Sequence, residues 1–337
     1  MPAEFGGATA VVSDYADIRD SWETMLKLVA PMTPLLNAIR TGEKPRAREH
    51  RWTTEQIKAD GYPTPPVEGL VIAEANITNF TPDVYQNSCQ EFYRAGSLSR
   101  RSQNIDTASK MKEMRKQVAL QMKYHMQEME KVVFGRQATA AASGNVGTRM
   151  GAINNYLNVS NGNVVSNTGG AGGAGSATGA SAITNGTAYV AFSKETLNSV
   201  LQTIKNQGVD SNTRLCMALS TGGRATVAQE LFDTNYLRQD VNLNMPTEYV
   251  QSYHSELGFK IELKDSANIE SLPTVSNDAN AFDVLLLDMK QIRKHYLQRT
   301  TMKDLANRGF ADNFTIYTDM TVSTGNPLNH GALRGRT

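Results

Sequence analysis

The sequence lacks what several common protein classes need. Its two cysteines, Cys89 and Cys216, lie far apart in 337 residues and outside any C-x-x-C spacing. That argues against a disulfide framework or a zinc site and fits a reducing compartment. It lacks a charge excess: 34 Lys and Arg face 33 Asp and Glu, a formal net of +1. Whole-chain electrostatics therefore favour neither nucleic acid nor an anionic membrane, and any such binding needs a local patch. It lacks long apolar runs. The longest clear aliphatic run, Val284 to Leu287, is far too short to span a bilayer, and the N-terminal stretch carries Glu4, Asp14 and Asp17 with no apolar h-region. These absences predict a soluble, non-secreted protein without a membrane partner. The length suits one large or two modest domains.

A reactive constellation is missing as well. His50, His125, His254, His295 and His330 are scattered, with no H-E-x-x-H or paired metal spacing. Neither cysteine sits in a nucleophile signature, and the run STGGRAT from Ser220 to Thr226 lacks the Lys-Ser/Thr ending of a phosphate loop. One spacing is tempting, because Gly170, Gly172 and Gly175 repeat G-x-G-x-x-G. A dinucleotide turn follows a buried strand and opens a helix, with an acid about twenty positions on. Only the acid, Glu195, is present: Val164-Val165 is too short for a convincing strand, and Ser176 to Gly186 is a poor helix. We therefore expect no catalytic, cofactor-binding or metal-ligating residues, and no enzyme.

Local absences also divide the chain. No charged residue occurs between Met150 and Ser193, and residues 158–187 are mostly Gly, Ser, Asn, Thr and Ala. Such a stretch has little apolar area to offset its ordering entropy, so it reads as a mobile surface loop. From Asp106 to Phe134 there is no Gly or Pro, while Met111, Met114, Val118, Met122, Met126, Met129 and Val133 step by three or four. This predicts a helix roughly 40 Å long, stopped at Gly135. Its Met stripe suits a core or an adaptable contact surface equally.

Ser13 can cap a first helix with Ile18, Trp22, Met25, Leu26 and Val29 on one face, ended by Pro31 and Pro34. Residues 42–99 carry Thr, Val and aromatic residues in short runs around Gly61, Pro63, Pro65, Pro66 and Gly69, an extended β region without its own core. An α/β pattern follows residue 193. Its expected helices run from Lys194 to Gly208, with Leu197, Val200, Leu201 and Ile204 inward, and from Ala225 to Phe232. Expected strands are Leu215 to Leu219, Phe259 to Leu263, Phe282 to Leu287 and Phe314 to Val322, the last with Phe314, Ile316 and Met320 on one face. No internal repeat is visible.

Basic residues cluster at Arg40, Lys44, Arg46, Arg48 and Arg51, and again at Arg94, Arg100, Arg101, Lys110, Lys112, Arg115 and Lys116. They suit phosphate contact, with steep salt dependence, or a charged face turned to solvent or another subunit, since Glu43, Glu49, Glu55 and Glu113 are interleaved. A projecting β region, a very long helix and an apolar arm, with no reactive site joining them, describe a chain built to contact copies of itself.

Seven features in order carry a family resemblance: TPLLNAI from Thr33 to Ile39, the basic stretch into HRWTTEQI from His50 to Ile57, Glu68-Gly69, the long helix, RMGAINNY from Arg149 to Tyr156, LLLD from Leu285 to Asp288, and LANRGFADNFTIYTDMTV from Leu305 to Val322. Together they resemble tailed-bacteriophage major capsid proteins of the Hong Kong 97 type. The resemblance implies an α+β fold in five parts: an N-terminal arm (1–40), an extended β-hairpin loop with flanking strands (41–100), a peripheral domain with a spine helix (101–149), an α/β axial domain (150–288) and a C-terminal return to the peripheral domain (289–337). It implies pentamers and hexamers closing an icosahedral shell around packaged double-stranded DNA, contacted non-specifically. A virion protein assembled in the host cytoplasm follows, with scaffolding, portal and decoration proteins as candidate partners. The alternative function is a nucleic-acid-binding protein using residues 40–51 and 94–116.

Overall fold

The computed structural model describes residues 33–55, 68, 82–104, 113–144, 146–157, 164–165, 175–176, 178–183, 190–210, 212–231, 252–269, 281–306 and 309–336. The proposed first helix and the tip of the extended region lie outside these residues. In chain order the elements are α1 (Pro34–Ala38), β1 (Arg40–Thr41), β2 (Glu49–Thr54), β3 (Asp83–Ser88), β4 (Gln90–Ser99), α2 (Arg100–Asn104) and α3 (Glu113–Phe134). Then come β5 (Val164–Val165), β6 (Gly175–Ser176), β7 (Gly179–Ala180), β8 (Val190–Ala191), α4 (Lys194–Asn206), β9 (Arg214–Leu219), α5 (Thr221–Leu231), β10 (Ser252–His254) and β11 (Lys260–Asp265). The chain finishes with β12 (Ala281–Leu287), β13 (Arg293–Leu305), β14 (Ala311–Ser323) and β15 (Gly331–Arg336).

Two sheets organise the molecule. A seven-stranded sheet has the order β10-β11-β9-β12-β15-β5, with β8 also on β15. Its strands alternate between two cores. Leu215, Met217, Leu219, Val284, Leu286 and Leu333 face α4 and α5, where Leu197, Val200, Leu201, Ile204 and Val227 are fully buried. Cys216, Ala218, Leu285, Leu287 and Ala332 face the opposite way, into a cluster with Leu35 and Leu36 of α1 and Met129, Val133 and Phe134 of α3. A sheet covered on both faces favours apolar residues at every position, which is why β9 from Leu215 and β12 from Val284 are continuous apolar runs.

The second sheet has four strands, β1-β13-β14-β4. Phe92 and Leu98 of β4 and Phe314, Ile316 and Met320 of β14 are buried. This face packs on α3: Phe92 meets His125 edge-on, ring centroids 6.3 Å apart. The opposite face of β4, with Glu91, Tyr93, Ala95 and Ser97, is exposed. A separate two-stranded sheet pairs β2 with β3 from Glu49↔Ser88 to Thr54↔Asp83.

Helix boundaries follow local chemistry. Ser193 caps α4 in a reciprocal capping box with Thr196, and Gly208 (φ +96°) takes the left-handed turn that ends it. α3 ends at Phe134 as expected, though Gly135 is needed there for a different reason than a left-handed cap: a Cβ at this position would sit 2.6 Å from the Lys131 carbonyl oxygen. α5 begins earlier than expected, at Thr221. Its two glycines open the helix, and Ser220 Oγ accepts from the Gly223 amide (3.2 Å) as a cap.

The segment read as a mobile loop is corrected by its described parts. Val164 is 3 % exposed and pairs with Ala332, so β5 is a strand of the large sheet despite its two residues. Gly175 and Ala180 belong to the β6–β7 ribbon, and Ala180 is 4 % exposed. Small residues are used here because the ribbon lies against larger ones: a Cβ on Gly175 would meet Tyr156 at 2.5 Å and Tyr85 at 3.0 Å. The C-terminal part also divides. β13 and β14 join β4, whereas β15 adds to the large sheet beside β12.

Candidate assembly surfaces

The sites that matter in this chain are polar joints between its parts and the faces those joints leave bare. The first joint holds α3. Glu130, 0 % exposed, lies at i+4 from Met126 and i−3 from Val133 and so falls on the apolar stripe. Its Oε2 accepts from the Leu36 amide (2.8 Å), while Oε1 accepts from Ser266 Oγ and from Asn268 Nδ2 (3.0 Å). One carboxylate thus ties α1, α3 and the turn after β11, and the three donors satisfy a group too costly to bury otherwise.

Beyond the end of α3, Arg136 donates Nε and Nη2 to Asp283 of β12 (2.8 and 2.6 Å), and Asn154 Nδ2 adds a third bond (2.8 Å). Arg94 of β4 makes a two-point ion pair with Glu128 of α3 and lies 4.0 Å over the Tyr124 ring. Coverage of the Met stripe is graded. Met129 and Val133 are 0 % exposed, while Met114, Val118, Met122 and Met126 are only partly buried and Met111 lies outside the described residues.

The second joint roots the β2–β3 hairpin. Asn87, 0 % exposed, donates to the Gly151 and Val322 carbonyls (3.0 and 2.8 Å) and accepts from the Gly151 amide (2.7 Å). Trp52 donates to the Gly325 carbonyl (2.8 Å), with Tyr85 and Tyr156 at ring distances of 6.0 and 5.6 Å. His50 meets the His295 ring at a tilt of 35°, centroids 4.0 Å apart. His295 Nδ1 bonds the Glu43 carbonyl (2.7 Å), so it carries the proton and leaves Nε2 to accept from Ser323 Oγ (2.9 Å). Burial first, and then electrostatic competition with His295 for a proton, lower the His50 pKa from 6.5 to about 4. This pairing of two histidines 245 positions apart had no signal in sequence.

The remaining sequence candidates are dispersed. Cys89 and Cys216 are both buried free thiols, each pushed up to about 12 mainly by that burial, so thiolate chemistry is unfavourable at either. Gly170 and Gly172 lie outside the described residues, and Gly175 opens a strand instead of a helix; Glu195 is exposed in the first turn of α4. Three of the basic residues are already paired within the chain. Arg51 pairs with Glu49 (3.3 Å) and donates to Gln86 (2.8 Å), Arg94 pairs with Glu128, and Arg100 pairs with Asp312 (3.2 Å). Arg40, Lys44, Arg46, Arg48, Arg101 and Arg115 are exposed; Lys110 and Lys112 lie outside the described residues.

Exposed apolar groups mark other faces: Tyr93 at 72 %, Tyr124 at 52 %, and Met302, Leu305 and Phe310 at 44, 44 and 87 % around the β13–β14 turn. Bare aromatic surface of this kind is characteristic of interaction sites.

This architecture is that of phage capsid subunits. The capsid asymmetric unit of cyanophage A-1(L) superposes with a TM-score of 0.65 at 13 % identity, covering 93 % of this chain and 95 % of that one. A capsid chain of a native GTA particle gives 0.58 at 11 % identity, covering 94 % of both. A chain of Mycobacterium phage Che8 gives 0.55 at 9 %, covering 94 % and 97 %. At such identities the likeness establishes the fold alone. No curated protein matches the sequence. The family is given by sequence: the SU10 major capsid protein profile matches residues 8–337, and the chain belongs to that family. It is a structural major capsid protein with the α+β capsid fold expected from sequence.

Proposed function

We propose that this chain forms the pentamers and hexamers of an icosahedral tailed-phage shell that encloses double-stranded DNA. The observation that supports this most is the unequal finish of its two sheets, one covered on both faces and the other presenting Tyr93 and its neighbours to the outside. In this reading α3 is the spine helix, residues 41–100 supply the extended loop, and the seven-stranded body is the axial domain, to which β15 returns. Residues 1–40 act as the arm. Individual contacts can be modest, because closed symmetry makes every subunit lose several at once on leaving. The near-neutral charge suits a container that holds DNA without gripping it. Scaffolding, portal and decoration proteins, assembly in the host cytoplasm and the absence of catalysis belong to the same proposal.

Electron microscopy of the expressed full chain, with and without its scaffolding partner, tests it: closed shells are expected, and only small closed dimers would overturn it. The nucleic-acid-binding alternative gains no support from a basic surface in which Arg51, Arg94 and Arg100 are already neutralised within the chain. It predicts binding that collapses as salt rises.

A further inference from the structure

On the outer face of the four-stranded sheet an exposed carboxylate lies beside a buried one. β4 and β14 pair in a register that sets Glu91 directly opposite Asp319 and Tyr93 directly opposite Tyr317. Glu91 is exposed, whereas Asp319 is 7 % exposed and its Oδ1 has no hydrogen-bond partner. Like charges directly across an antiparallel pair repel, and a buried carboxylate oxygen without a donor adds a desolvation cost. Burial and then Glu91 both raise the Asp319 pKa; burial, the Asp319 and Glu91 charges and a hydrogen bond to Glu91 push the Tyr317 hydroxyl up to about 12. Arg48 opposes this weakly: its charge lowers the Asp319 pKa, yet it is exposed and makes no ion pair with Asp319 among the described residues. The subunit thus leaves the exposed Glu91 carboxylate, backed by a buried and only partly satisfied Asp319, beside the Tyr93 ring, which is 72 % exposed.

We infer that this spot, Glu91 and Asp319 flanked by Tyr93, receives an arginine of a second copy of the chain. The occupant follows from complementarity. A guanidinium matches a carboxylate pair and lies flat on an aromatic face, which an ammonium does less well. A cation held by the protein alone has too few ligands, since no cluster of three or more acids, histidines or cysteines exists among the described residues. The chain also presents suitable bases: Arg40, Arg46 and Arg299 are exposed and form no ion pair among the described residues. Arginine from a neighbour would convert a local destabilisation of the free subunit into a contact that exists only in the assembly. The inference rests on the shell-forming reading above and adds to it a residue-level contact.

The test exploits a change of sign. Glu91→Gln, at an exposed position, is compared with wild type as dissociated subunits and as assembled particles, with Asp319→Asn as the second variant. Removing one charge of the pair should raise the subunit Tm by about 1–3 °C, and lower the temperature at which particles fall apart by a larger amount. Among Arg40→Gln, Arg46→Gln and Arg299→Gln, one should reproduce the particle loss without the gain in the subunit. Subunit and particle moving in the same direction with Glu91→Gln would overturn the inference, as would three arginine variants with wild-type particles. Loss of wild-type particle stability on adding EDTA would assign the spot to a metal ion and also overturn it. Failure of the wild type to form particles at all would instead strike the shell reading itself.

Discussion

The seven-stranded and four-stranded sheets are built from similar residues and finished differently. In the first, α4 and α5 cover one face and the α1–α3 cluster covers the other, so β9 and β12 are apolar at nearly every position. In the second, α3 covers one face and nothing among the described residues of the chain covers Glu91, Tyr93, Ala95 and Ser97. A strand buried on two sides is completed within the subunit. One buried on one side leaves its other face available to a neighbour, and in a shell protein neighbours are guaranteed by symmetry. Substitutions in the first sheet and its joints should therefore act on folding, and those on the bare face of the second should act on assembly.

The largest expected effect lies in the joint between α3 and the large sheet. Arg136→Ala strands the Asp283 carboxylate, 8 % exposed, leaving Asn154 as its remaining side-chain donor among the described residues, and should cost about 3–5 kcal/mol in urea unfolding. A loss below 1 kcal/mol would mean that this joint is wet and the body less self-contained than it looks. Next comes the gradient along α3. Met129→Ala should cost about 2–4 kcal/mol, whereas Met122→Ala, only partly buried, should cost about 1 kcal/mol or less in the free subunit. Equal losses would show that the stripe is core throughout, and the comparison of the two halves of the helix would fail.

Glycines give a matched pair of intermediate size. Gly175→Ala drives a methyl into Tyr156 and Tyr85 and should destabilise by about 1–3 kcal/mol. Gly222→Ala, in α5 with nothing within 4 Å of the new Cβ, should stabilise by about 0.5–1 kcal/mol through helix propensity. The first value also reports on the segment that sequence reading assigned to a mobile loop.

The hairpin root should respond to pH. His50 is lowered from 6.5 to about 4 by burial and by His295, and His295 is lowered by burial and by Arg293 against the pull of Glu43. A base whose folded pKa is depressed contributes stability that is complete above its unfolded pKa. That stability is lost as pH falls through 6.5 toward about 4, because the unfolded chain takes up the proton first. Hydrogen exchange in β2 and β3 should accelerate over this window, and His50→Phe should flatten the response. A flat wild-type profile would show that the histidine contact does not hold the root.

These effects also mark where sequence was informative. The α/β part was legible because its signals are local: Ser193 and Gly208 bracket α4, and the inward set Leu197, Val200, Leu201 and Ile204 is fully buried. Phe314, Ile316 and Met320 likewise share a buried face. β13 is not legible because its buried and exposed residues do not alternate regularly across two register shifts, and β15 because a strand of Gly, Ala and Arg around a single Leu carries little apolar signal. β5 is too short to signal a strand in sequence, yet two residues suffice where a larger sheet supplies the edge. Glu130 was visible as an acid on an apolar helical stripe, a placement that requires partners. The Glu91–Asp319 and His50–His295 encounters depend on register and tertiary approach, which no single-chain periodicity encodes. The capsid family was recognisable only from the order of many individually weak motifs.

The smallest expected effect on folding separates the two sheets most sharply. Tyr93→Ser removes a ring that is 72 % exposed and touches the core nowhere, so the dissociated subunit should keep its stability to within about 0.5 kcal/mol. If the bare face is completed by neighbours, the same substitution should raise the concentration needed for assembly several-fold, since each exposed aromatic that becomes buried contributes at every copy of the contact. Light scattering of assembly against protein concentration reads this directly. Unchanged assembly with an unchanged subunit would mean that the face stays solvent-exposed in the shell. The unequal finish of the two sheets would then be a property of the fold, with no part in how copies meet.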